Sequence, residues 1–220
     1  MSQTRYDSLV SIFLKVTGLA DPARLRVLVV GAGKGHEVLA LSRVFPNIKA
    51  IEPDYESVAE EAMPSVERGD ATGLDFPDES FDLVYCYHVL EHIPEYDSAL
   101  AEIRRVLKRG GVLYLGVPNK LRIFGYIFNR DSAWRDRIIW NLNDYKARIC
   151  GKFENRFGAH AGFTAKEISA ILARTFPSLN NVTDVYYGAK YGNNFLVRFI
   201  NGMPLIKNFL WPSIYFVCRK

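Results

Sequence analysis

Two rhythms of apolar and polar positions alternate along the first half of this chain. Val27, Leu28, Val29 and Val30 are four apolar residues in a row, the pattern of a parallel strand covered on both faces. Residues 36–45 then carry apolar side chains at helical spacing. The pairing repeats. Strands are expected at 48–51, 65–68, 81–87 and 112–117, with helices at 55–63, stopped by Pro64, and at 96–108, stopped by Gly110 and Gly111. In the second of these helices Leu100, Ile103 and Leu107 face inward. Arg104, Arg105, Lys108 and Arg109 gather in its last turn, where cations suit the helix dipole. A further helix precedes the first strand. Asp7 or Ser8 can cap it, Val10, Phe13, Leu14 and Thr17 share one face, and Gly18 with Asp21 and Pro22 ends it.

Such alternation implies an α/β fold: a mainly parallel sheet with right-handed crossovers and helices on both faces. Ligands then bind at the carboxyl ends of the strands. The informative residues are those just past each strand: 31–35, Glu52, Asp70, His88 and Asn119. Gly31, Gly33 and Gly35 form a G-x-G-x-G turn feeding a helix N-terminus, a ready site for a nucleotide. The dinucleotide fingerprint asks for glycine at position 36, where His36 stands.

Beyond Asn119 the pattern loosens. Residues 120–160 are rich in aromatics and arginine, and a helix is expected at about 133–150, in an insertion overhanging the ligand crevice. Thr164 and Glu167 form a capping box that opens a helix to about Thr175. Residues 181–187 read as a sixth strand, 188–212 as a second insertion, and 213–218 as a last strand.

Composition narrows the class. A length of 220 residues at 49% apolar content fits a single domain over 1–220 with a substantial core. No stretch of 18 apolar residues is free of charge, so no transmembrane segment is expected. Residues 9–20 are broken by Lys15 and lack a basic start and a cleavage site, so no signal peptide is expected either. Cys86, Cys150 and Cys218 are odd in number and far apart, without metal-ligand spacing. They suit buried thiols in a reducing, cytoplasmic setting and no metal site. The net charge of +4 hides an asymmetry. Residues 1–119 hold 12 Lys/Arg against 18 Asp/Glu, and residues 120–220 hold 16 against 6, a net of +10. The basic half is either a solvated face or a surface for something anionic: a phosphorylated substrate, a membrane or RNA.

Four features agree in order and spacing: the glycine turn, an acid ending strand two, an acid after strand three, and a His-Val-Leu-Glu-His segment at 88–92 preceded by the acidic and apolar run 78–84. With them the chain resembles class I S-adenosylmethionine-dependent methyltransferases, well over 25–119 and in outline beyond. The likeness is greatest to small-molecule methyltransferases carrying that segment after strand four. The resemblance implies a Rossmann-like three-layer sandwich with a mostly parallel seven-stranded sheet and an antiparallel last strand. It implies a cofactor-binding half (1–119) and an acceptor-binding half (120–220). S-adenosylmethionine is the implied cofactor. Gly31, Ala32, Gly33 and Gly35 admit its methionine half. Glu52, beside Pro53, accepts from the ribose hydroxyls, Asp70 from the adenine amino group, and Ala71 adds a backbone N–H. Leu74 and Phe76 pack either near the adenine or in the core. Asp54 is the rival to Glu52 and better suits capping the following helix.

The chain departs from this family at Val29, where many relatives carry an acid; ammonium recognition then falls to carbonyls near Gly31 and Tyr87. Lys34 reaches the methionine carboxylate or points to solvent. The catalytic candidates are His88, beside the expected methyl group, and His160, where relatives place substrate-lining residues. Glu91 and His92 suit a structural or capping role, and His36 is not expected to be catalytic. No Asn-Pro-Pro-Tyr-type segment follows strand four. That tilts the acceptor atom toward oxygen (or carbon) of a small-molecule, sugar or lipid-linked acceptor, which the basic half would suit if anionic. The alternatives are an RNA methyltransferase and a non-catalytic cofactor-binding subunit. The 195–211 stretch is expected to pack on the core as a lid, with peripheral membrane contact as its rival reading.

Overall fold

The computed structural model describes residues 13–15, 17–19, 21–123, 133–150, 162–192 and 195–220. Seven strands form one sheet in the order β3-β2-β1-β4-β5-β7-β6. They are β1 (Arg26–Val30), β2 (Asn47–Glu52), β3 (Val66–Arg68), β4 (Phe81–Tyr87), β5 (Leu107–Pro118), β6 (Ser178–Asn181) and β7 (Ser213–Arg219). The β3-β2-β1-β4-β5 portion is parallel throughout, and β7 runs antiparallel to both its neighbours, β5 and β6. Among the described residues the helices include α1 (His36–Ser42), α2 (Tyr96–Val106), α3 (Trp134–Cys150), α4 (Ala165–Thr175), α5 (Thr183–Tyr191), α6 (Phe195–Asn201) and α7 (Pro204–Leu210), and residues 13–15 and 17 are helical as well. This is the expected Rossmann-like arrangement, with the antiparallel last strand in place.

The continuous apolar runs follow from burial on both faces. Alternate residues of each strand point to opposite sides. Val27, Val29, Leu83, Tyr85, Tyr114 and Tyr215 join one apolar layer with Val38 and Leu41 of α1 and Tyr186 and Tyr187 of α5. Leu28, Val30, Val84, Cys86, Leu113 and Phe216 join the other with Leu100 and Ile103 of α2 and Ile168 and Leu172 of α4. Phe13 belongs to the first layer, edge-on to Tyr114 at 5.1 Å. Thr17 is buried too, its hydroxyl donating to the Phe13 carbonyl. Asp7, Ser8 and Val10 lie outside the described residues.

Three local expectations are corrected. Residues 55–63 form no α-helix; a 3-10 turn at Tyr55–Ser57 and another at Met63–Ser65 flank a loop. That loop is tied to the glycine turn by Ala59 N–H donating to Lys34 O at 3.2 Å, and it buries Val58 and Ala62 beneath the turn. Its remaining backbone bonds are short-range turns, such as Val58 N–H to Tyr55 O and Ala62 N–H to Ala59 O, that do not add up to a helix. Asp54 accordingly makes no side-chain cap. Second, α2 ends at Val106 and the chain passes directly into β5, so Lys108 and Arg109 belong to the strand. Gly110 (φ 73°) and Gly111 shape an irregularity at the start of β5 where pairing with β4 shifts, and Lys108 Nζ donates to both Asp82 oxygens at 2.7 and 2.8 Å. Third, residues 183–187 are the start of α5, not strand. The Asn181 side chain accepts from Thr183 N–H at 3.0 Å, and Val182 and Tyr186 bury at helical spacing. Elsewhere the Thr164–Glu167 capping box is formed in both directions.

Candidate functional site

A cavity of about 800 Å³ opens at the carboxyl ends of β1, β2 and β4. Of the residues singled out in sequence, Gly31, Ala32, Gly33, Glu52, Pro53, Asp70, Ala71 and His88 line it together. Gly35 has a different use. It caps α1 in the left-handed region (φ 81°), and a Cβ there would lie 2.3 Å from the Ala62 Cβ. Leu74 is buried and Phe76 packs edge-on against Phe81 at 5.0 Å, so both serve the core. Lys34 and His36 are on the cavity wall. His160 lies outside the described residues.

The glycine turn is built from the neighbouring strand. Gly31 and Ala32 N–H both donate to Ile51 O at 3.0 Å, and Gly33 N–H donates to Glu52 Oε2 at 2.7 Å. Glu52 Oε1 accepts from Asp54 N–H at 3.2 Å. A carboxylate does hold the loop, but it comes from β2, while Val29 is sealed in the core. Gly33 (φ 52°) has open space where a Cβ would stand. Asp70 Oδ1 accepts from Thr72 N–H and hydroxyl at 2.7 and 2.6 Å. These bonds hold its carboxyl below the usual range and leave Oδ2 without a hydrogen bond among the described residues. Arg105 steadies the loop beyond, donating to Leu74 O, Phe76 O, Asp78 and Glu102.

On the opposite wall His88 adopts φ 55°, uncommon outside glycine. Its N–H donates to Gly116 O at 2.8 Å, its Nε2 meets Ser213 Oγ at 3.0 Å, and its Nδ1 lies 3.5 Å from Glu91 Oε1. Leu90–His92 form a 3-10 turn in which Glu91 is buried and makes no side-chain cap. Neither Glu91 carboxyl oxygen has a hydrogen-bond partner among the described residues. Burial pushes this carboxyl up to about 7, opposed in part by the charge of Arg122. Asn119, past β5, lines no part of this cavity. Its amide donates to Asn208 O and Trp211 O and braces the approach to β7.

Among the wall residues that sequence reasoning did not assign to the site are Glu37, Tyr186 and Lys190. Tyr186 and Lys190 stand one helical turn apart, with the ammonium 5.3 Å from the ring centroid; reading 181–187 as strand hid that spacing. Burial pushes the Tyr87 phenol far up, and the charge of Glu37 adds to the effect. Glu37 thereby supplies negative charge beside the turn that Val29 does not.

The donor set fits an adenosyl cofactor: two carboxylates at successive strand ends, an open glycine backbone and a cavity of sufficient volume. Comparison with known proteins agrees. Residues 28–115 match a family described as a methyltransferase domain. The uncharacterized methyltransferase YcgJ of Bacillus subtilis is 35% identical over 40% of this chain and 39% of its own length. Its crystal structure covers 96% of this chain and 98% of its own, with a TM-score of 0.59 at 18% identity, a likeness of fold. A phosphatidylethanolamine N-methyltransferase of Cereibacter sphaeroides is 29% identical over 70% of this chain and 64% of its own length. A ubiquinone biosynthesis O-methyltransferase of Burkholderia pseudomallei is 28% identical over 75% and 68%. The chain thus spans less than two thirds of the length of the first two relatives. The glycine turn and the acids at successive strand ends lie within the stretch, residues 28–115, that matches the methyltransferase domain family.

Proposed function

We propose that this chain transfers a methyl group from S-adenosylmethionine to oxygen of a small or lipid-linked acceptor. The observation that carries the reading is the single cavity in which the glycine turn, Glu52 and Asp70 face His88 and Tyr186. Glu52 keeps lone pairs for the ribose hydroxyls while holding Gly33, and Asp70 offers Oδ2 to the adenine amino group. Ala71 contributes its backbone N–H. Glu37 takes the methionine ammonium in place of the family's acid at position 29. When bound, the sulfonium supplies an electrophilic methyl group. The protein's part is to aim the acceptor in line with it and to exclude water. His88 receives the acceptor's hydroxyl proton at Nε2 by exchanging its contact with Ser213, and Glu91 faces the Nδ1–H of the resulting imidazolium. His160 remains the second base candidate, and residues 120–220 form the acceptor side. Similarity to both N- and O-methyltransferases supports methyl transfer generally; oxygen rests on the segment after β4.

Calorimetry with S-adenosylhomocysteine tests this directly. Glu52→Ala, Asp70→Ala and Glu37→Gln are each expected to weaken binding by about 1–3 kcal/mol, as for lost hydrogen bonds to charged groups. Wild-type affinity in any one refutes the role given to that residue. No binding by the wild type at millimolar ligand sinks the whole reading.

A further inference from the structure

The sheet edge that bears the cavity also bears a set of apolar side chains turned to solvent. The turn at 119–123 leaves this edge after β5. Residues 183–212 connect the carboxyl end of β6 to β7, which runs antiparallel and so begins at the same edge. Hydrogen bonds join these parts. Ile123 N–H donates to Phe209 O of α7 at 2.8 Å, and the Tyr145 hydroxyl of α3 donates to Ile123 O. Along the outer faces Ile149 is 85% exposed, Phe195 83%, Trp134 66% and Leu142 61%. Phe195 and Phe199 stack outward at 6.2 Å, while Val197 and Trp211 anchor the segment inward. The expected lid is therefore anchored on the core by one side and apolar on the other. Exposed cations stand among the rings: Arg135 lies 5.6 Å over Trp134, and Lys146 and Arg198 are exposed.

Exposed rings at the boundary, aliphatic side chains and interleaved cations are what an interfacial helix presents to a bilayer with anionic headgroups. A protein partner would bury the same apolar surface but would not call for cations set among the rings. We infer that this face is a peripheral docking surface for an anionic lipid bilayer. Docking there sets the cavity's edge of the sheet toward the membrane. That a lipid-borne acceptor is methylated at that point rests on the proposed activity; the docking itself does not.

Co-sedimentation with phosphatidylcholine vesicles, with and without phosphatidylglycerol, tests the inference on the full chain. The wild type is expected to bind the anionic vesicles, to be released by salt, and to bind neutral vesicles about tenfold less tightly or worse. Phe195→Ser/Phe199→Ser and, separately, Arg198→Glu are expected to lose anionic binding while keeping wild-type S-adenosylhomocysteine affinity. That retained affinity also shows that each variant is folded. Failure of the wild type to bind anionic vesicles overturns the docking surface, as does undiminished binding by both variants. So does a wild-type dimer in light scattering that the double variant abolishes, since a second copy then covers the face. In each case an intact S-adenosylhomocysteine isotherm leaves the proposed activity standing.

Discussion

Glu91 is a carboxyl group in the wrong solvent. It is buried, its oxygens find no hydrogen bond among the described residues, and its neighbours are the His88 ring, the Cys86 thiol and the charge of Arg122. Its pKa is raised from 4.5 to about 7 in the folded chain. Between those two values the folded chain holds a proton that the unfolded chain has released. Stability therefore falls as pH rises through that window and levels off above it. Glu91→Gln removes the titration and keeps the shape. The variant is expected to be more stable than wild type at pH 8 by on the order of 1–3 kcal/mol, with little difference at pH 4.5. Urea unfolding at the two pH values measures this; parallel pH dependence in the two proteins refutes it. A residue retained at such a cost fits a role beside His88, which is itself held in a strained backbone conformation by Gly116, Ser213 and Glu91.

The glycine turn distinguishes two uses of glycine within one element. At Gly31 (φ 77°) a Cβ would stand 2.2 Å from Val89 Cγ2, whereas at Gly33 (φ 52°) it meets nothing within 4 Å. Gly31→Ala is expected to cost about 2–4 kcal/mol of stability by forcing the turn away from the 88–92 segment, and Gly33→Ala only about 1 kcal/mol. Thermal unfolding of the two variants should rank them in that order; equal losses would mean that the turn yields freely. The turn was legible in sequence because glycine spacing reports backbone conformation directly. β1, β2, β4 and the capping box of α4 were legible for a similar local reason: apolar-rich runs, and a cap whose partners lie three residues apart. What failed depended on partners distant in sequence. Residues 55–63 have reasonable helical composition, but Ala59 bonds to Lys34, and Val58 and Ala62 fill the space under the turn. Gly110 and Gly111 read as a helix stop because nothing local shows that Lys108 already pairs with Asp82 on β4. Val182 to Tyr187 are strand-like in composition, and the bond from Thr183 N–H to Asn181 Oδ1 and the docking of Tyr186 on Tyr215 at 3.7 Å favour the helix. That last error also hid Tyr186 and Lys190 from the site.

At the scale of the whole molecule, β7 closes the structure. It sits between β5 and β6, and its register with β5 runs unbroken from Ser213 opposite Pro118 to Arg219 opposite Val112. Ile214, Phe216 and Cys218 enter one apolar layer, Tyr215 and Val217 the other. Ser213 adds the contact to His88 Nε2, and Lys220 donates to Arg105 O and Leu107 O at the far end of the sheet. The strand thus connects both layers, the clasp around Arg105 and the wall of the cavity. Deleting residues 213–220 exposes the buried edge of β5, leaves β6 without a partner, and removes several large buried side chains at about 1.5–3 kcal/mol each. That sum reaches the 5–15 kcal/mol by which domains of this kind are stable, to order of magnitude. The truncated chain is expected to lose cooperative thermal unfolding and S-adenosylhomocysteine binding together, although every residue proposed to touch the cofactor remains present. A truncated chain that still unfolds cooperatively and binds the ligand would show that the first five strands and their helices form a self-sufficient cofactor domain. The link from β7 through Ser213 to His88 would then be dispensable for the cofactor side of the site.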